Sequence, residues 1–186
     1  SEERHATRWP KSLKFRHPWL QLNLLTAFAA AAVVGLFQDV VEQVVMLALF
    51  IPVVAGQTAN TGHQALAVTL RGITLGELAK GSEKQLFVKE VLLGFLNGTL
   101  TGVIAGCGMF VAAWLQKDPH AATLGIVVAM ALSAACTLGG LFGAIIPLTL
   151  KKLGFDPVTA SAIFVTTGTD IVSMACFLGL ATLMLR

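Results

Sequence analysis

One carboxylate, Asp170, lies within ASAIFVTTGTDIVSMACF (Ala160 to Phe177), near the middle of an apolar segment running from Pro157 to Leu185. An Asp at the centre of a membrane-spanning helix costs roughly 2.5–3.5 kcal/mol on insertion scales, so it ordinarily faces a polar cavity and has a function. The competing role is a protonated Asp that only hydrogen-bonds a neighbouring helix. A second polar group lies in IPVVAGQTANTGHQA, where Gly56, Asn60 and Gln64 recur every four residues and share one face of any helix formed there. Ala162, Thr166 and Asp170 repeat that spacing. If the two faces meet, they enclose carboxylate, amide and carbonyl oxygens and no thiolate, a donor set for a hard cation such as magnesium.

A single carboxylate makes a thin site, but magnesium keeps most of its waters and is held by one or two carboxylates. A two-fold dimer pairing Asp170 with its symmetry mate supplies the second. Proton relay through Asp170 and His63 is the competing use of the same residues. Enzyme chemistry finds little support. An intramembrane aspartyl protease needs two carboxylates at depth, and this chain has only Asp170 there. It also has no phosphate-binding glycine loop with lysine, no HExxH and no GxSxG.

The elements that must position these residues follow from composition. The 186 residues are 55% hydrophobic and 12% charged, with a mean hydropathy of +0.78, which describes an integral membrane protein and excludes an ordinary soluble domain. Apolar runs longer than about 20 residues, without ten-residue alternation, predict an all-α bundle rather than a barrel. Five spans are expected: Trp19 to Phe37, Val44 to Leu70, Val91 to Leu115, Ala121 to Leu150 and Pro157 to Leu185. The second is expected to be interrupted, because Pro52 removes a backbone bond and Gly56 and Gly62 loosen the helix; the carbonyls so freed would line a wet cavity with Gln57, Asn60, His63 and Gln64. Gly94, Gly98, Gly102 and Gly106 form a four-residue stripe on the third span, the pattern of a close helix–helix seam rather than a ligand site. The small residues of the fourth span, among them Ala131, Ala135, Gly139, Gly140 and Gly143, predict an interior helix. Gly154 to Pro157, GFDP, predicts a turn that opens the fifth. Cys107, Cys136 and Cys176 are isolated and read as packing residues.

Residues 1–18 hold Arg4, Arg8, Lys11, Lys14 and Arg16 with Trp9 and Phe15, without the apolar centre of a signal peptide. They predict a basic segment at an anionic membrane surface, not a nucleic-acid site. Asp39 and Glu42 form a short acidic turn after the first span, and Arg71 to Glu90 is expected to be the longest polar connection, with room for a short surface helix. With the amino terminus cytoplasmic and the carboxy terminus outside, every lysine and arginine except Lys117 and Arg186 falls inside, as the positive-inside rule asks. The acidic turn then lies outside, where it can draw cations to a mouth.

Pro52-x-x-x-Gly56-x-x-x-Asn60-Thr61-Gly62-x-Gln64, followed by Arg71, resembles the signature of the MgtE magnesium channels and their eukaryotic carrier relatives. Arg16-x-Pro18-Trp19-Leu20 resembles the start of that family's first helix, Phe155-Asp156-Pro157 its fourth turn, and Thr167-x-x-Asp170 its fifth-helix carboxylate. The resemblance covers nearly the whole chain. It implies five helices per subunit, a homodimer in the cell membrane, and a magnesium path lined by the second and fifth helices. It further implies that Asp170 is the principal ion-site carboxylate, that Gly56 and Asn60 line the pore, and that Thr166 presents a backbone carbonyl.

The chain departs from the family pattern at Thr58 and Ala59, at His63 and at Ala162; an imidazole at His63 would favour softer divalent ions. Most family members also carry an amino-terminal cytosolic domain and paired CBS domains. Residues 19–186 read as transmembrane domain alone, so conduction is expected to be indifferent to internal magnesium. The sequence thus points to a divalent-cation channel or transporter, most simply for magnesium, with lipid and a second copy as partners and no organic cofactor. A sodium- or proton-coupled exchanger using Asp170, and a scaffold subunit whose polar residues only hold helices together, are the alternatives.

Overall fold

The computed structural model describes residues 8–78 and 82–185. Arg4, Lys80 and Arg186, counted among the basic residues above, lie outside them. The described residues are all-helical: α1 (Trp9–Leu36), α2 (Gln38–Gln43), α3 (Met46–Thr74), α4 (Ser82–Leu115), α5 (Ala121–Lys152) and α6 (Pro157–Met184). Four of them, α1, α4, α5 and α6, are long and apolar enough to cross a membrane. Helix α3 has 29 residues, about 43 Å at 1.5 Å per residue, but its polar middle sets it apart from those four.

Helix α5 is the centre of the bundle, with α3, α4 and α6 packed around it, as its small residues predicted. A core of Leu124, Val127, Val128 and Leu132 closes on Leu47, Val54, Met109, Phe177 and Leu178, all fully buried. The glycine stripe is the α4–α5 seam. A Cβ on Gly94 would lie 2.5 Å from the Cys136 carbonyl oxygen, on Gly98 2.7 Å from that of Leu132, on Gly102 2.7 Å from that of Ala129, and on Gly106 2.5 Å from that of Gly125. Each neighbour is backbone, so the two helices touch main chain to main chain, which only small residues permit. Cys136 is buried in this seam against Gly98, as a packing residue; Cys107 is exposed and Cys176 half-buried, and all three are free thiols.

Several expectations change. The predicted interruption of the second span is absent: α3 is continuous α-helix through Pro52, Gly56 and Gly62. Proline removes one backbone bond, and the rest of a 29-residue helix carries the chain past it. Gly62 is a packing residue rather than a break, since a Cβ there would lie 2.9 Å from Thr169 Cγ2 and 3.0 Å from Val165 Cγ1. The acidic turn is the one-and-a-half-turn helix α2, stitched by Gln38 Nε2 donating to Glu42 Oε1 at 2.6 Å.

The polar connection is shorter than expected, because α3 runs on to Thr74 and α4 begins at Ser82, where Lys152 Nζ reaches Glu83 Oε2 at 2.7 Å. No separate surface helix therefore stands between them among the described residues. The first span does not start at Trp19: α1 begins at Trp9, with a proline in its first turn, and continues past Pro18. Its early turns carry Lys11, Lys14 and Arg16 at the exposed surface. At the predicted fourth turn, Asp156 caps α6 by accepting from Val158 N at 3.0 Å, with Pro157 opening the helix and Gly154 at φ +80°.

Candidate ion site between α3 and α6

Gly62 sets the site. Lacking a side chain, it lets α3 approach Val165 and Thr169 of α6, while the Gly139 carbonyl of α5 closes the third side at 3.3 Å from its Cβ position. The buried face of α3 satisfies its own hydroxyls: Thr58 Oγ1 donates to the Val54 carbonyl and Thr69 Oγ1 to that of Ala65, both at 2.8 Å. Thr169 does the same on α6, donating to the Val165 carbonyl at 2.9 Å. Hydroxyls bonded back into their own helix can sit in an apolar interior without a cross-helix partner.

The opposite face of α3 is left uncovered by the chain itself. Gly56, Gln57, Asn60, His63, Gln64 and Arg71 are all exposed there. A Cβ on Gly56 would meet nothing within 4 Å, so this glycine, unlike Gly62, leaves room rather than making contact. Beside that face stand Thr166 and Asp170 of α6, both half-buried, and Ala162, exposed. The two predicted faces are thus neighbours. The hydrogen bond that joins them is between His63 Nε2 and Thr166 Oγ1 at 3.2 Å, and His63 is also within electrostatic reach of the Asp170 carboxylate.

This contact was not foreseen. His63 stood out in sequence as a proton-relay candidate and Thr166 as a carbonyl position. The Thr166 hydroxyl faces His63, and the Thr166 carbonyl shares the Thr169 hydroxyl hydrogen with the Val165 carbonyl, each at 2.9 Å. The relative rotation of two helices decides such a pairing, and no spacing within either helix reports it. A second unforeseen link is Thr167 Oγ1 donating to Thr26 Oγ1 at 2.8 Å, which ties α1 to α6 three residues from Asp170. Among the described residues, no three His, Cys, Asp or Glu side chains gather closely enough to hold a bare ion. Asp170 and His63, with neutral oxygens and water, are therefore what one chain offers a cation here.

Away from this face, a cleft of about 560 Å³ is lined by Asp39, Gln43, Asp118, His120 and Thr182, where the α1–α2 and α4–α5 connections meet the end of α6. His120 Nδ1 lies 3.4 Å from Asp118 Oδ1.

The residue profile of the MgtE family, described as a divalent cation transporter, matches residues 51–180, which take in the polar face of α3 and nearly all of α6. The magnesium transporter MgtE of Enterococcus faecalis is 32% identical over 176 residues, covering 95% of this chain and 38% of that protein. The magnesium transporter MgtE of Bacillus subtilis is 36% identical over 167 residues, 90% of this chain and 36% of the relative. That of Thermus thermophilus is 31% identical over 169 residues, 90% and 36%. The chain spans little more than a third of the length of these relatives. With four helices among the described residues long and apolar enough to span a bilayer, it is a multi-pass integral membrane protein. By the profile match and by these three relatives, the chain belongs to the MgtE family.

Proposed function

We propose that this chain moves magnesium across the membrane along a path lined by α3 and α6 of a homodimer, with Asp170 as the ion-site carboxylate and Gly56, Asn60 and Thr166 lining the path. The observation that carries the reading is the uncovered polar face of α3 standing beside Asp170. Lipid cannot satisfy amides, an imidazole and a carboxylate, so this face must meet water or a second copy. A two-fold axis beside it brings two Asp170 carboxylates to one hydrated ion, a charge that suits magnesium retaining its waters. The names of the three relatives support the choice of ion.

In this reading α3 is the fifth span beside α1, α4, α5 and α6. The basic early turns of α1 and the α3–α4 connection lie at the cytoplasmic surface, and the carboxy terminus lies outside. Residues 1–18 form the surface-associated approach to the domain, and residues 19–186 the transport domain. The path needs no coupling, because a dication moving inward gains about 4.6 kcal/mol per 100 mV of inside-negative potential. The test is magnesium flux into liposomes carrying this chain, under such a potential and without sodium or proton gradients. Uptake is expected. Uptake that appears only when a gradient is imposed would replace this reading with a coupled exchanger.

The cleft holding Asp39 and Asp118 lies at the outer end in this topology and serves as the mouth. Neutralising both, Asp39→Asn with Asp118→Asn, is expected to lower flux severalfold at low ionic strength and hardly at all above about 0.5 M salt, where long-range attraction of ions beyond about 5 Å is screened. An effect that persists unchanged in high salt would assign these residues a different role.

A further inference from the structure

We propose that His63 and Asp170, with the same two residues of a second copy, form a site for zinc and other late first-row dications that arrests the path instead of conducting through it. The inference rests on the dimeric transport reading above and adds to it a second class of ion with the opposite effect. Its starting point is the hydrogen bonding of Thr166. That hydroxyl donates its one hydrogen to the Ala162 carbonyl at 2.9 Å, so in the 3.2 Å contact with His63 the Thr166 oxygen is the acceptor. His63 Nε2 therefore carries a hydrogen, and in the neutral imidazole Nδ1 keeps its lone pair. An imidazole whose far N–H is anchored to an oxygen is the arrangement found at metal-ligating histidines, because it fixes the tautomer and the ring.

The donor chemistry follows. Oxygen donors suit magnesium, whereas an imidazole nitrogen raises preference for zinc, nickel, cobalt and copper. One chain supplies one nitrogen and one carboxylate, too few to close a site, in keeping with the absence of any three-residue cluster among the described residues. Two chains meeting along the uncovered face of α3 supply two nitrogens and two carboxylates, the tetrahedral set that zinc takes. Conduction requires an ion held weakly enough to leave. Magnesium held through its waters satisfies that, and zinc stripped of water and bound by four protein ligands does not.

The test is zinc binding to the purified chain in lipid nanodiscs, with zinc chloride as titrant, beside zinc block of magnesium flux in liposomes. The expected result is one tightly bound zinc per two chains. Affinity should fall in His63→Gln and in Asp170→Asn by at least the ~10–100-fold that losing even an outer-shell partner costs. Cobalt in place of zinc should give a tetrahedral visible spectrum without the near-ultraviolet bands of thiolate ligation, which separates this site from Cys107 and Cys176. Block of flux by zinc should weaken in parallel in His63→Gln, and His63→Ser, with a smaller side chain, serves if the Gln variant does not elute as a single species. Binding unchanged in the His63 variants, one zinc per chain, thiolate bands, or no binding would overturn the proposal. Because binding is read without transport, zinc bound as described by a chain that shows no magnesium flux would sink the transport reading alone.

Discussion

Replacing Asp170 with Asn is expected to reduce magnesium flux at least about 100-fold while leaving a folded protein. A unit charge pair 4 Å apart is worth about 4 kcal/mol at an effective dielectric near 20, and a dication feels about twice that. Losing even a third of such an attraction at the narrowest polar point of the path amounts to the ~2.7 kcal/mol that a hundredfold change represents. The fold should not suffer, since among the described residues no hydrogen bond from the Asp170 side chain holds α6 in place, and insertion of α6 becomes easier by part of the roughly 2.5–3.5 kcal/mol assigned to a central Asp. Asp170→Glu keeps the charge and is expected to retain partial flux. Liposomes carrying well-folded Asp170→Asn that take up magnesium as the unaltered chain does would remove Asp170 from the path.

The second large effect is on folding. Gly106→Val is expected to abolish the folded species, because its Cβ alone would lie 2.5 Å from the Gly125 carbonyl oxygen and 3.2 Å from the Ala129 Cβ. Overpacking a core costs typically 1–3 kcal/mol when side chains can give way. Here the obstacle is backbone on the facing helix, so relief requires α4 and α5 to separate. Gly108→Val is the matched control two residues away, with nothing within 4 Å of its Cβ and an exposed position. Size-exclusion profiles and thermal unfolding in detergent should show Gly106→Val aggregated or strongly destabilised and Gly108→Val close to the unaltered chain. Equal behaviour of the two would mean the seam is looser than the distances say.

The seam could be read from sequence because four glycines at four-residue spacing have few other uses in an apolar helix. The interior place of α5 and the Asp156–Pro157 start of α6 were legible for similarly local reasons. Asp170 was legible through its cost. Where the reading failed, the deciding contact was not local. Pro52 looked like a break because proline forfeits a bond, but the price is one bond within a continuous helix that packs on α5 and α6. Gly62 looked like a second weakness, and only the positions of Val165 and Thr169 show that it is required for approach. Pro18 likewise lies inside α1 rather than at its start. The His63–Thr166 bond depends on how α3 and α6 are rotated against each other, which neither helix encodes alone.

The glycine contacts also divide the bundle mechanically. Helices α3, α4 and α5 meet through carbonyls and bare Cα positions, at Gly94, Gly98, Gly102 and Gly106 on one side of α5 and at Gly139 and Gly143 on the other. Sliding one past its neighbour by even one 1.5 Å residue step would drive a side chain into a backbone oxygen, so these three helices behave as a strut. Helix α1 is the compliant member: it has no buried residue and leans chiefly on α6. Helix α6 is clamped to the strut where Thr169 meets Gly139 and Gly62, and it is tied to α1 by the Thr26–Thr167 bond. A force applied to the amino-terminal end of α1 is therefore delivered to α6 within a single turn of Asp170.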